Sequence, residues 1–175
     1  NPMPRRAVLS DEQRMALLAL PDDETTLVQH WTLSEDDLAI IVRRRRPHNR
    51  LGFAIQLCAL RYPGRLLRPG ELIPDTPLAF VAEQLQIAPE VLADYATRGP
   101  TRYEQLDALR EGFGFTQFSR PLRAALQEWL LPIALTTTSG AGLARSLLGE
   151  CRRRRIIVPG ISSVERMVAQ ALLDA

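Results

Sequence analysis

The sequence predicts an all-α protein, built as a multi-helix array of small helical subdomains. Aromatic residues make up only 6% of the 175 residues, whereas Leu and Ala are abundant, a composition that favours helices over sheets. Helix start signals also recur along the chain, and pairs of Pro and Gly interrupt it between them. The hydrophobic share of 46% is sufficient for a buried core.

Four segments resemble a capping box, in which a Ser or Thr lies three residues before a side chain that can bond back to it. The pairs are Ser10 with Gln13, Ser34 with Asp37, Thr101 with Glu104, and Ser162 with Glu165. Acidic residues at several starts complement the helix dipole. Together with the hydrophobic spacing, these signals predict helices at 11–20, 23–30, 35–45, 49–62, 77–85, 89–95, 102–112, 121–136, 142–153 and 163–173.

The fourth predicted helix, 49–62, is apolar on nearly every side. Its polar positions are confined to a narrow stripe of Asn49, Gly52 and Gln56. A helix with this pattern is buried, so we expect it to be the central helix of the first subdomain. Gly52 would allow a close approach of another helix.

The helices that follow are separated by clear chain breakers, the sharpest between Pro69 and Pro77. The fifth and sixth predicted helices resemble a helix-turn-helix, although Gln86 occupies the turn position where Gly is usual. Glu90 and Asp94 on the second of them would repel phosphates, so this geometry serves either DNA recognition or a scaffold. Residues 136–142 are rich in Thr, Ser and Gly but lack a GK[ST] sequence, which indicates an interhelical loop. The predicted organisation is a subdomain at 1–68, a helix-turn-helix-like subdomain at 69–117 and a helical region at 118–175.

Charge is segregated along the chain, although the net charge is only +2. Residues 38–70 hold eight Arg and no acid, whereas residues 71–117 hold eight acids and three Arg. A second basic run, Arg152 to Arg155, lies near the C-terminus. All 22 basic residues are Arg, which reflects either a coding bias or the suitability of Arg for phosphate and guanine contacts. Charge blocks of this kind mark interaction surfaces, and a polyanion is the expected partner.

The longest basic run is followed directly by a turn and by polar side chains. Cations at the C-terminus of a helix are favoured by its dipole and are otherwise solvated, but four in succession favour phosphate contact. Asn and Gln suit adenine and Arg suits guanine in the major groove, while N–H groups at a helix start bind phosphate. The predicted DNA contacts are Arg43, Arg44, Arg45, Arg46, His48, Asn49, Arg50, Gln56, Arg61 and Arg65, with Arg98, Thr101 and Arg102 as a second group.

Sequence patterns of enzymes and metal proteins are not found. Cys58 and Cys151 lack CxxC spacing, and neither His30 nor His48 has a second ligand at metal spacing. We therefore expect no catalytic residue, no metal site and no cofactor in this chain. Without a membrane-spanning or secretory segment, a soluble cytoplasmic protein with no membrane partner is expected.

The segment WTLSEDDLAIIVRRRRPHNRLGFAIQLCALRYPGR, residues 31–65, resembles the N-terminal region of TnpA, the large transposase of the Tn-three family. The similarity continues in FVAEQLQIAPEVLADYATRGPTRYEQLDALREGFGF and in RRRRIIVPGISSVERMVAQAL. The four-Arg run with Pro47 and the residue Gln105, where a His is expected, depart from the family pattern.

This resemblance implies a fragment of a replicative transposase that acts in the bacterial nucleoid. It implies double-stranded DNA as the partner, namely the terminal inverted repeats at the transposon ends, and self-association in the full-length protein. A DDE catalytic domain with a divalent metal would lie downstream, outside this chain. The alternative is a helical scaffold that contacts transposase subunits or an accessory protein.

Overall fold

The structure, a computed structural model, describes residues 8–95 and 99–175, with the side chains of residues 99–104 excepted. Within these residues the chain forms nine α-helices and one 3₁₀ helix and has no β-strand, which confirms the predicted fold class. The elements are α1 (Asp11–Leu17), α2 (Glu24–His30), α3 (Glu35–Ile41), α4 (Pro47–Arg61), α5 (Asp75–Leu85), the 3₁₀ helix (Pro89–Asp94), α6 (Gly99–Phe113), α7 (Arg120–Ala134), α8 (Gly140–Arg153) and α9 (Ile161–Asp174). None of the described helices is both long enough and apolar enough to cross a membrane.

The chain divides into two compact units. A split unit combines Asn1–Ala19 with Gln117–Ala175, and a continuous unit comprises Leu20–Thr116. This division differs from the predicted subdomains 1–68, 69–117 and 118–175. The N-terminal helix α1 packs against α8, and α4 packs against both α5 and the 3₁₀ helix. The break expected near residue 69 therefore lies inside one unit.

The core of the split unit is formed by α7, α8 and α9, which pack against one another in pairs. Each helix contributes an apolar stripe, as expected for surface helices of a bundle. The first helix follows Leu9, which is buried in the same core. Ser10 caps α1 as predicted, because the Gln13 N–H donates to Ser10 Oγ at 3.2 Å and the Ser10 N–H donates to Gln13 Oε1 at 2.9 Å.

The core of the continuous unit is α4, whose residues Leu51 to Leu60 are all buried. This confirms the central position that the sequence predicts for it. Gly52 lies so close to the Tyr95 ring that a Cβ atom at position 52 would be 2.2 Å from it. Gln84 of α5 accepts a hydrogen bond from the Leu33 N–H at 2.8 Å and donates to the Trp31 carbonyl at 3.1 Å, which joins α5 to the segment before α3.

The ends of most predicted helices shift by one to three residues, and two predicted helices differ more from the observed ones. The helix predicted at 35–45 ends at Ile41, and the helix predicted at 89–95 is a short 3₁₀ helix that packs on α4 and α5. Gln86, at the turn before it, adopts a left-handed conformation with φ of 56°. The second element of the predicted helix-turn-helix is therefore not an α-helix.

Among the remaining capping predictions, Ser34 and Asp37 form a capping box at α3. Ser162 does not, because α9 begins at Ile161 with Gly160 as its N-cap. The Glu165 carboxylate forms an ion pair with Arg14 at 2.6 Å instead. The pair Thr101 and Glu104 lies outside the described side chains. The segment 136–142 connects α7 to α8, as its composition indicates.

Candidate functional site

The run of four arginines lies in a loop between α3 and α4, which we call the arginine loop, residues 42–46. Pro47 is the first residue of α4, where its fixed φ suits a helix start. A residue before Pro avoids the helical conformation, and Arg46 is accordingly extended. The sequence predicts that these arginines form the last turn of a helix. In the structure they instead form a turn between two helices.

The four arginines of this loop differ in their surroundings. Arg43, Arg45 and Arg46 are exposed, whereas Arg44 is half-buried. The guanidinium carbon of Arg44 lies 4.6 Å from the centre of the Phe53 ring, in cation–π geometry. Among the residues that the structure describes, no acidic side chain forms an ion pair with any of the four.

Arg50 holds the backbone of the arginine loop. Its Nε donates a hydrogen bond to the Arg44 carbonyl at 2.7 Å, and one terminal nitrogen donates to the Val42 carbonyl at 3.1 Å. The carbonyls at a helix C-terminus have no partner within the helix, so the guanidinium supplies one just beyond α3. Arg50, a predicted DNA contact, is thus engaged by the protein itself.

Arg61, another predicted DNA contact, forms a two-pronged ion pair with Asp37 at 2.7 and 2.8 Å. The Asp37 carboxylate is buried and also accepts a hydrogen bond from the Ser34 N–H at 2.9 Å. The hydrogen bond from Arg61 is the main cause that lowers the pKa of Asp37, while burial acts in the opposite direction. Arg61 also lies over the Phe113 ring at 5.6 Å. This pair ties α3 to the end of α4.

Arg65 and Gln56 are likewise engaged inside the continuous unit. Arg65 pairs with Glu71 at 2.8 and 2.9 Å. Burial alone would raise the pKa of Glu71, but hydrogen bonds from Arg65 and from the Arg68 N–H lower it overall. Gln56 is 5% exposed and accepts a hydrogen bond from the Leu67 N–H at 3.0 Å. The predicted polar stripe of α4 therefore does not extend along the protein surface.

His48 and Asn49 lie in the first turn of α4, directly after the arginine loop, and both are half-buried. No side chain caps this helix start, and the first N–H groups of an α-helix have no partner within it. The loop and the first turn therefore bring cations, backbone donors and one amide side chain together.

The second predicted group of contacts lies outside the side chains that the structure describes. Arg98 lies outside the described residues, and Thr101 and Arg102 belong to the first turns of α6, whose side chains are not described.

The C-terminal basic run differs from the arginine loop because an acid accompanies it. Glu150, which is buried, accepts hydrogen bonds from Arg153 Nε at 3.0 Å and from Arg154 Nε at 2.9 Å. The hydrogen bond from Arg153 is the main cause that lowers the pKa of Glu150. Two of the four arginines in this run therefore share one carboxylate, which offsets one positive charge.

The described residues offer no group of three or more His, Cys, Asp or Glu that could hold a metal ion. Burial is the main cause that raises the pKa of Cys58 to about 12 and that of Cys151 to about 11. Because the thiolate is the reactive form, neither side chain is a nucleophile at neutral pH.

Comparison with known proteins assigns the family. A family profile described as a domain of unknown function (DUF4158) matches residues 8–171. The chain belongs to the DUF4158 family.

The DUF4158 chain is similar to several transposases. It is 42% identical over 173 residues to the transposase for transposon Tn21 and 42% identical over 175 residues to the transposase for transposon Tn3926, both of Escherichia coli. It is 38% identical over 173 residues to the transposase for transposon Tn501 of Pseudomonas aeruginosa. Each match covers 99% of this chain and 18% of the relative, so the chain spans less than a fifth of their length. The resemblance to the N-terminal region of Tn-three-family transposases is confirmed.

Proposed function

We propose that this chain is the DNA-binding part of a transposase and that it recognises the terminal inverted repeats of its transposon as double-stranded DNA. The observation that carries the proposal is the arginine loop, which exposes Arg43, Arg45 and Arg46 with no acidic partner in the part of the chain that the structure describes. The similarity to transposases for Tn21, Tn3926 and Tn501 supports a DNA partner.

The charge distribution supports a specific orientation on DNA. Residues 20–116 contain fourteen acids and eleven Arg, so the continuous unit is acidic as a whole. Phosphates would be repelled by most of such a surface and attracted by the arginine loop. The unit therefore approaches a duplex with this loop foremost.

The burial of α4 limits how DNA is read. A recognition helix commonly contacts bases with its N-terminal residues, and Leu51 to Leu60 of α4 are buried. Only the first turn, with His48 and Asn49, is therefore available to reach a groove. Asn49 is the residue suited to a two-pronged contact with adenine, while the loop arginines hold the phosphates on either side.

The test is a salt titration of binding to the transposon's own terminal repeat and to scrambled duplex DNA. Each phosphate neutralised adds about 0.9 to the slope of log affinity against log salt. A triple variant in which Gln replaces Arg43, Arg45 and Arg46 should therefore lower the magnitude of this slope by roughly 2 to 3. It should weaken binding to both DNAs to the same extent.

Changing Arg152, Arg153 and Arg154 to Gln is the matched control, because it removes the same number of charges and should lower the slope by less. Asn49→Ala should instead reduce the ratio of specific to scrambled affinity. EDTA should not affect binding, because the proposal includes no metal in this fragment. An unchanged slope in the first variant would favour the alternative, a scaffold for transposase subunits or an accessory protein.

In the full-length protein we expect self-association, association with the bacterial nucleoid, and a DDE catalytic domain with a divalent metal outside this chain. Mass measurements of the full-length protein with and without its DNA would test the first of these expectations.

A further inference from the structure

The geometry points to Arg50 and Arg44 as positioning residues, which fix the shape of the arginine loop so that Arg43, Arg45 and Arg46 meet the phosphates of a duplex. This inference rests on the proposed function. It divides the arginines of residues 43–50 into two groups. Arg44 and Arg50 contact the protein, whereas Arg43, Arg45 and Arg46 contact DNA.

The contacts of Arg50 support the first half of this division. Its planar guanidinium bonds to the carbonyls of Val42, where the loop begins, and of Arg44, in its middle, at 3.1 and 2.7 Å. Two acceptors at different points of one turn are held by a single rigid group, a geometry that an ammonium cannot reproduce as a fixed fork. The two guanidinium donors used in this way are directed at the loop backbone and are not available for a phosphate.

The position of Arg44 supports the second half. Its guanidinium carbon lies 4.6 Å from the centre of the Phe53 ring, and Phe53 is fully buried in α4. The ring in turn lies 6.4 Å from that of Phe113, at the end of α6. Arg44 therefore turns inward while Arg43, Arg45 and Arg46 remain exposed, and both anchors of the loop involve residues of α4.

Such anchoring has a consequence for affinity. A loop that is already ordered does not lose backbone and side-chain freedom when it binds. Removing an anchor should therefore weaken binding by roughly tenfold without changing the number of phosphates that are contacted. The slope of log affinity against log salt reports that number. A residue that only positions the loop should therefore change the affinity but not the slope, whereas a residue that contacts a phosphate should change both.

The experiment compares Arg50→Lys and Arg50→Gln with Arg68→Lys and Arg68→Gln, on the same DNA. Arg68 is an exposed arginine of the same basic segment outside the loop. We expect both Arg50 variants to lose affinity to a similar extent, with the slope of the wild-type chain. Arg44→Gln should also keep the wild-type slope, whereas Arg43→Gln should lower it by about 0.9.

Retention of wild-type affinity by Arg50→Lys, with a lower slope in Arg50→Gln, would overturn the inference, because charge alone would then be sufficient.

Limited digestion with trypsin gives a second measurement that needs no DNA. Cleavage after Arg43 and Arg45 should be faster in both Arg50 variants than in the Arg68 variants, while thermal unfolding shows that each variant is folded. Unchanged cleavage would overturn the anchoring itself. Failure of the wild-type chain to bind DNA, with faster cleavage in the variants, would instead refute the proposed function.

Discussion

Replacing Asp37 with Asn tests whether the ion pair with Arg61 holds α3 against α4. Asp37 is 5% exposed, and its carboxylate accepts hydrogen bonds from both terminal nitrogens of Arg61. Removal of one partner from a buried ion pair costs about 3–5 kcal/mol, because the other charge is left without compensation. The Arg61 side chain is 30% exposed, and water compensates it in part. We therefore expect the free energy of unfolding, measured with urea at pH 7, to fall by about 2 kcal/mol.

The pH dependence makes this prediction specific to the ion pair. The hydrogen bond from Arg61 is the main cause that lowers the pKa of Asp37 from its usual value of 3.8. A lowered carboxyl pKa means that the stabilisation is present above the unfolded-state pKa and disappears as the pH falls through the folded-state value. The difference in the free energy of unfolding between wild type and Asp37→Asn should therefore be complete at neutral pH and become steadily smaller below pH 3.8.

The control is Asp107→Asn. The Asp107 side chain is 72% exposed and lies 3.9 Å from Arg110, and exposed pairs contribute little, so stability should change by less than about 0.5 kcal/mol. An Asp37→Asn loss of equal size at pH 7 and at pH 3 would refute the reasoning, because it would show that packing rather than charge is responsible.

Three further predictions concern the core. Leu57→Ala should lower the free energy of unfolding by about 2–5 kcal/mol in urea titrations, because Leu57 is fully buried in α4; unchanged stability would contradict the core assignment. Gly52→Ala should cost about 1–3 kcal/mol and alter the near-UV circular dichroism, because the new Cβ would overlap the Tyr95 ring; wild-type values of both would show that the ring moves away freely. Cys58 and Cys151 should resist a thiol reagent at pH 8 in the native protein and react after unfolding, since burial raises the pKa of both thiols; rapid reaction of the native protein would disprove their burial.

The features that the sequence predicts correctly depend on neighbouring residues. The apolar surface of α4 and the capping boxes at Ser10 and Ser34 are patterns within a few positions of one another. The end of α3 is predicted too late because Arg is a good helix former, although the extended conformation preferred before Pro47 is a local signal for an earlier end. The 3₁₀ helix has no comparable signal, since its form depends on packing against α4.

The roles of two predicted contact residues, Arg61 and Gln56, depend on partners that are distant in the chain. Arg61 bonds to Asp37, 24 positions away, and Gln56 bonds to Leu67, 11 positions away. Composition marks these side chains as polar but does not reveal that folding engages them. In contrast, residues 38–70 contain no acid, and Arg43, Arg45 and Arg46 within them are exposed in the structure. The segregation of charge along the sequence therefore predicts the exposed basic loop correctly.

The division of the chain determines the order in which its parts can fold during synthesis. The continuous unit has all of its residues as soon as Thr116 has left the ribosome. In contrast, α1 precedes the continuous unit in the chain and its partner α8 follows it. Leu9 and Leu18, which are buried in the finished split unit, therefore lack the helices that cover them while the continuous unit is synthesised. A polypeptide beginning at residue 117 would lack Leu9 and Leu18 from the core formed with α7 to α9, whereas residues 20–116 include the whole of the continuous unit.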